Sequence, residues 1–235
     1  PAELTERSSA SVGCDKQKRS VVWGVDVAGF ERTSARAELP VSTRARYHHG
    51  DLERALIDAV RAQLEEGLAS KVSLAEAAKS VGVSTAAPYK HFRDKQDVLE
   101  RIAGEGFSEL GQLMSDAQKD GASAAEHIAA SGKAYVRFAL SNPGTFRLMF
   151  GSSPNVKDNA DVTAQGHECF GVLITSVTRF LSERHSDRDP RTLSVMLWTF
   201  VHGLAALAKD KDYEAAGIDV DLDKKVDAVD ESLLV

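Results

Sequence analysis

Between Leu74 and Gly82 a small residue, Ala78, follows a leucine by four positions, and a glycine follows that alanine by four more. This spacing constrains the chain more than any other feature in it. Two helices can cross at a sharp angle only where a small side chain lets the second approach the first. The turn between them needs a positive φ, which glycine adopts and other side chains resist. Ser73 precedes Leu74, and Glu76 follows the serine by three, a capping-box pattern that opens a helix with Leu74, Ala77, Ala78 and Val81 on its buried face. Gly82 ends it, and Ser84 is placed to cap a third, short helix through Phe92. That helix would present Thr85, Ala86, Tyr89, Lys90 and His91, side chains suited to phosphates and base edges, with Phe92 and Val81 as core. A helical hairpin without a binding role can show the same alanine–glycine spacing.

The flanking segments extend the helical pattern. Leu52, Ala55, Leu56, Ala59 and Val60 recur at helical intervals and share one face of a helix that stops at Gly67. Asp94 caps a further helix through Val98, Ile102 and Phe107 toward Met114. Helices are also expected over Ala122–Leu140, Thr145–Phe150, Val162–Arg184 and, opened by Pro190, Leu193–Ala208, the last apolar almost all round and therefore buried. Asn142-Pro143-Gly144 breaks the chain, and Gly151–Asn159 reads as a loop. No repeat and no strand pattern follows residue 50, so the fold class is all-α. Residues 1–41 lack sustained periodicity and read as a mostly disordered extension, with a short element around Val21–Val27 as the alternative.

Composition narrows the class. Hydrophobic residues at 43% and charged residues at 27% exclude a wholly disordered or collagen-like chain. No apolar run approaches the roughly 18–20 residues of a membrane span, which excludes an integral membrane protein, and no secretory signal is evident, which places the protein in the cytoplasm. Cys14 and Cys169 form neither a disulfide framework nor a zinc site. The net charge of −6 is unevenly spread. From Leu207 onward nine acids face four lysines, an acidic tail, whereas Val41–Gly50 carries Arg44, Arg46, His48 and His49 with no acid. A local basic arm is therefore compatible with a negative total, because phosphate is bound by a patch. His48 and His49 also fit a solvated approach to the first helix.

The stretch Tyr47–Leu99 resembles the DNA-binding domain of the tetracycline-repressor (TetR) family. The resemblance rests on Ser73-Leu74-Ala75-Glu76-Ala77-Ala78, Gly82-Val83-Ser84, Tyr89-Lys90-His91-Phe92 and Asp94-Lys95. Tyr47-His48-His49-Gly50-Asp51-Leu52, Ala87-Pro88-Tyr89 and Trp198-Thr199-Phe200-Val201-His202-Gly203 look like one branch of it, with a C-terminal Trp-x-x-x-His-Gly regulatory domain. Pro88 departs from the aliphatic residue common in relatives and removes a backbone donor, a loss that a short helix capped at Ser84 can accept. The resemblance implies a helix-turn-helix head over residues 42–97 and a ligand-binding, dimerising body over 98–235. It implies phosphate contacts from Tyr89, His91 and Lys95, the last through its amide at a helix start, and base reading by Thr85, Ala86 and Lys90. Arg44, Arg46, His48, Ser73 and Ser84 complete the expected DNA-binding set.

Other chemistry is not supported. His167-Glu168-Cys169 are adjacent on a helix and cannot close on one ion. Asp219, Asp221 and Asp223 mimic a calcium loop, yet Lys224 and Asp230 stand where glycine and glutamate are required, so they read as a solvated acidic tail. Gly104-Glu105-Gly106 lacks the strand and third glycine of a dinucleotide site. No metal, cofactor or catalytic residue is expected. Phe107, Met114, Tyr135, Phe138, Phe170, Ile174, Trp198 and His202 are the candidate effector-pocket residues, most of which equally fit a packed core; Trp198 and His202, one turn apart, also fit a helix-packing pair. The expected protein is a homodimeric transcriptional regulator, a repressor of a near-palindromic operator on double-stranded DNA, released by a small apolar effector. The alternative is a helical carrier or enzyme whose head has no DNA role.

Overall fold

The computed structural model describes residues 49–67, 69–118, 123–151 and 156–233. Cys14, the Val21–Val27 element, Arg44, Arg46 and His48 lie outside them. The described elements are α1 (His49–Glu66), α2 (Leu74–Val81), α3 (Lys95–Ala117), α4 (Ala124–Ser141), α5 (Pro143–Phe150), α6 (Ala160–Glu183), α7 (Pro190–Lys209), α8 (Asp212–Ala215) and α9 (Leu222–Leu233). Single 3-10 turns occur at Ala69–Lys71, Pro88–Lys90 and Val156–Asp158, and there is no strand among the described residues. The chain is all-α.

Helix boundaries follow local chemistry. Asp94, Ser123, Asn159 and Asp189 each accept a backbone N–H from the first turn of the helix they precede, and Ser123 with Glu126 forms a full capping box. At α2 only half of the expected box forms. Ser73 Oγ accepts from Glu76 N at 3.3 Å, but the serine's own N–H donates to Gln63 Oε1 of α1 at 2.8 Å. Gly82 takes the left-handed conformation, φ 80°, and Val83 N closes the turn on Ala78 O. Ala77 and Ala78 are fully buried against α1.

Three expectations are corrected. The helix expected over Ser84–Phe92 is a run of turns with one 3-10 turn at Pro88–Lys90, and Ser84 caps nothing with its side chain. Pro88 cannot donate to the Ser84 carbonyl, so Ala87 N takes that acceptor at 2.9 Å and tightens the backbone to i→i−3 bonding. α7 is not buried throughout. Leu193, Ser194, Leu197, Leu204 and Ala205 are, whereas Val195, Met196 and Leu207 are exposed. By length and composition α7 could cross a bilayer, despite the absence of an uninterrupted apolar run; here it packs on α4 and α6. The acidic tail folds as α9, with Val226 buried on α4 and Asp223 and Asp227 paired to Arg137 and Lys133. Asp221 of the calcium-loop mimic starts this helix, accepting Lys224 N at 3.1 Å.

α3 is the central element, packed on α1, α4, α5 and α6. Across the α1–α3 contact Glu105 bridges Arg54 at 2.9 Å and Arg61 at 2.8 Å. α5 meets α1 end-on. The Glu65 carboxylate accepts Gly144 N at 2.6 Å, Thr145 N at 3.0 Å and Thr145 Oγ1 at 3.0 Å, filling the capping role that Asn142 leaves open because its side chain turns back to the Phe138 carbonyl. A Cβ on Gly144 would lie 2.2 Å from Leu64 O and 2.7 Å from Glu65 N, both backbone atoms that cannot rotate away. Gly144→Ala is expected to force α5 off α1 and destabilise the fold by about 1–3 kcal/mol, the range of an overpacked site. A lowered urea midpoint with unchanged slope checks this.

Candidate functional site

The expected DNA-contacting residues divide by what they touch. Ser84, Thr85, Ala86, Tyr89 and Lys90 are all exposed in the turns after Gly82. Tyr89 is the most exposed large hydrophobic residue described, at 61%. Burying Pro88 and Phe92 below it fixes the direction in which the ring points outward. Lys90 has no ion pair among the described residues.

Three other candidates are engaged internally. Ser73 is the α2 cap. His91 is largely covered, its Nδ1 facing Glu53 of α1 at 3.8 Å. The Lys95 ammonium donates to the carbonyls of Ser70 at 3.1 Å and Ala69 at 3.4 Å, so it ties the turn after α1 to the start of α3. Neighbouring Arg93 is held by Asp97 at 2.7 Å, and that hydrogen bond keeps the Asp97 carboxyl below the usual range.

α3, α4, α6 and α7, with Met149 and Phe150 of α5 and Val226 of α9, line a cavity of about 530 Å³ that opens to the surface. Of the expected pocket residues, Phe107, Met114, Tyr135, Phe170 and Trp198 line it. Phe138, Ile174 and His202 do not. Phe138 is packed in the core, Ile174 is half-buried on α6, and His202 sits behind Tyr135. Residues missed from sequence include Ile128, Gly132, Cys169, Leu173, Arg191, Val195 and Val226. Leu222 and Val226, one turn apart in the tail, were the available signal for the last of these.

The Tyr135 hydroxyl accepts Trp198 Nε1 at 3.2 Å and stands 2.7 Å from His202 Nδ1. The hydroxyl and Nδ1 share one hydrogen bond, whose direction is set by the His202 tautomer. Burial pushes the Tyr135 pKa well up, against the opposing effect of the Trp198 bond, so the hydroxyl stays protonated. Phe146 lies edge-on to Tyr135 with ring centroids 5.7 Å apart, and Phe150 does the same to Phe107 at 5.3 Å.

Burial also pushes the Cys169 thiol up to about 12 from its ordinary value of 9.0. The unfolded chain then releases a proton that the folded chain keeps. Stability is full below pH 9 and is lost as pH rises toward 12, by up to about 1.4 kcal/mol per pH unit. Urea unfolding between pH 7 and 10 should show this decline, and Cys169→Ala should make it shallower.

Comparison with known proteins agrees with this architecture. Residues 128–229 match the family model described as the tetracyclin repressor-like C-terminal domain. A protein of unknown function from Rhodococcus sp. RHA1 is 30% identical, with a TM-score of 0.70 over 81% of this chain and 97% of that one. At 16% identity the fold is shared with the TetR family transcriptional regulator PfmR from Thermus thermophilus, with a TM-score of 0.59 over 76% of this chain and 96% of that one. It is also shared, at 16% identity, with the transcriptional regulator FadR from Bacillus subtilis in complex with stearoyl-CoA, with a TM-score of 0.63 over 77% and 97%. Helix α2, the exposed turns after Gly82 and a helical layer around an apolar cavity thus occur together in a chain that carries a tetracycline repressor (TetR)-like C-terminal domain and shares the fold of TetR family transcriptional regulators.

Proposed function

We propose that this chain is a homodimeric, cytoplasmic, sequence-specific DNA-binding repressor that leaves its operator when a small apolar effector enters the body cavity. The observation that carries this reading is the outward presentation of Thr85, Ala86, Tyr89 and Lys90 directly after the left-handed Gly82 turn. Residues 42–97 act as the head and 98–235 as the body, with α3 running from one into the other. In this reading Thr85, Ala86 and Lys90 meet base edges and Tyr89 meets phosphate. Ser73, His91 and the Lys95 ammonium hold the head in shape, while the Lys95 amide at the α3 terminus faces a phosphate. Arg44, Arg46 and His48 supply a basic arm to the adjacent groove or backbone. The protein acts by binding, without catalysis.

The dimer is supported by the exposed apolar side chains Met196 and Leu207 of α7, which a lone subunit leaves in water. Two-fold pairing of α6 and α7 places two heads on half-sites about one helical turn, roughly 34–36 Å, apart, and so calls for a near-palindromic operator. Effector binding shifts the population toward a head spacing that no longer fits.

Binding of sequences selected from a random DNA pool, followed by fluorescence anisotropy across a salt series, tests the head. Lys90→Ala should weaken binding and reduce the salt slope by about one, and Thr85→Ala should change the preferred base by roughly 1–3 kcal/mol. Lys95→Ala should instead lower the melting temperature with little change in salt slope. Absence of any salt-dependent, sequence-selective binding would favour the carrier alternative.

Sedimentation tests the dimer. Met196→Asp is expected to yield folded monomers with at least tenfold weaker operator affinity, whereas a monomeric parent chain at micromolar concentration would refute the pairing.

A further inference from the structure

Inside the cavity the polar groups are already satisfied. Tyr135 is bonded to Trp198 and His202, and the Ser131 hydroxyl accepts Gln118 Nε2 at 2.6 Å and donates to the His127 carbonyl at 2.9 Å. The Cys169 thiol is buried. A satisfied buried group gains little from an incoming partner, and displacing its partner costs a full desolvation penalty. The inner chamber therefore accepts hydrocarbon.

Charge enters the wall at a single place. Arg191, in the first turn of α7, lines the cavity and is exposed. It makes no ion pair among the described residues. The nearest acid in sequence, Asp189, is committed to Thr192 N at 2.8 Å and Thr192 Oγ1 at 2.7 Å; these bonds, then the Arg191 backbone amide and last the Arg191 charge, hold its carboxyl below the usual range. His167 lines the same cavity from α6 and is also exposed. No carboxylate is among the lining residues. A cation-bearing rim on an apolar chamber discriminates among apolar molecules by the charge of their ends.

We infer that the effector is an anionic amphiphile, with its hydrocarbon chain in the chamber and its head group on the Arg191 guanidinium. This rests on the reading of the cavity as the effector site. The planar guanidinium offers paired donors to a carboxylate or phosphate, and the exposed position lets a large head remain in water. The shared chemistry is an acyl chain ending in an anion, whether as a free acid or as a thioester carrying phosphates.

The test is calorimetric titration of the full chain with laurate, dodecanol and dodecyltrimethylammonium, each below its micelle concentration. Laurate is expected to bind at least tenfold more tightly than dodecanol, with dodecyltrimethylammonium weakest and the preference shrinking as salt is added. Arg191→Gln should bring laurate down to the affinity of dodecanol without changing the latter. Arg191→Lys, which keeps the charge and loses the fork, should retain a reduced preference. Lauroyl-coenzyme A separates the two sources: tighter binding than laurate assigns the head to the thioester's phosphates, and weaker binding assigns it to the free acid. Equal affinity for all three amphiphiles, or equal weakening of laurate and dodecanol by Arg191→Gln, overturns the inference and leaves the cavity reading intact. Binding of none of them overturns both.

Discussion

The Glu65 carboxylate at the start of α5 is the contact on which the rest of the arrangement depends. Three donors converge on one side chain, and the bare Gly144 lets two backbones approach more closely than any side chain would allow. α5 has only eight residues, too few to persist alone in water. Its neighbours hold it. One end is fastened to the last turn of α1, which also carries α2, and the other supplies Met149 and Phe150 to the cavity. Displacement of α5 at the cavity therefore reaches the last turn of α1 through the Glu65 carboxylate. Interdigitated packing transmits such shifts because it resists continuous deformation.

The α1–α3 ion pairs add to this connection in a different way. Glu105 shares its two oxygens among Arg54, Arg61 and Arg101, and most of these side chains keep some contact with solvent. Exposed pairs of this kind contribute little to stability one by one. Their geometry sets the orientation of α1 against α3, which a purely apolar contact would leave free to slide.

Much of the fold was legible because its signals are local. Ser73, Asp94 and Pro190 mark helix starts with chemistry that acts within one turn, and Gly82 marks a turn only glycine favours. The failures are tertiary. Nothing near Ser73 shows that Gln63 outcompetes Glu76 for its N–H, and nothing near Pro88 decides between a short α-helix and a 3-10 turn until the lost Ser84 bond is placed. The tail read as solvated because its acids were counted without their partners, Lys133 and Arg137, which lie far away in sequence. The cavity was half legible for a similar reason. Large apolar residues at helical spacing mark an inward face but give no hint of whether they meet, as Phe138 does, or stand apart around a space, as Phe107 and Phe170 do.

The placement of α9 bears on how the molecule comes into being. Val226 lies where a Cβ on Gly132 would be 2.9 Å from it, so one wall of the chamber is completed by a segment made long after α4. Lys133 and its partner Asp227 are separated by 94 residues. At a synthesis rate of about 5–20 residues per second, the gap amounts to roughly 5–20 seconds. During that interval the Gly132 face of α4 lacks the side chain that Val226 lays on it in the finished fold. The wall that Val226 forms against Gly132 is therefore complete only once α9 has been made.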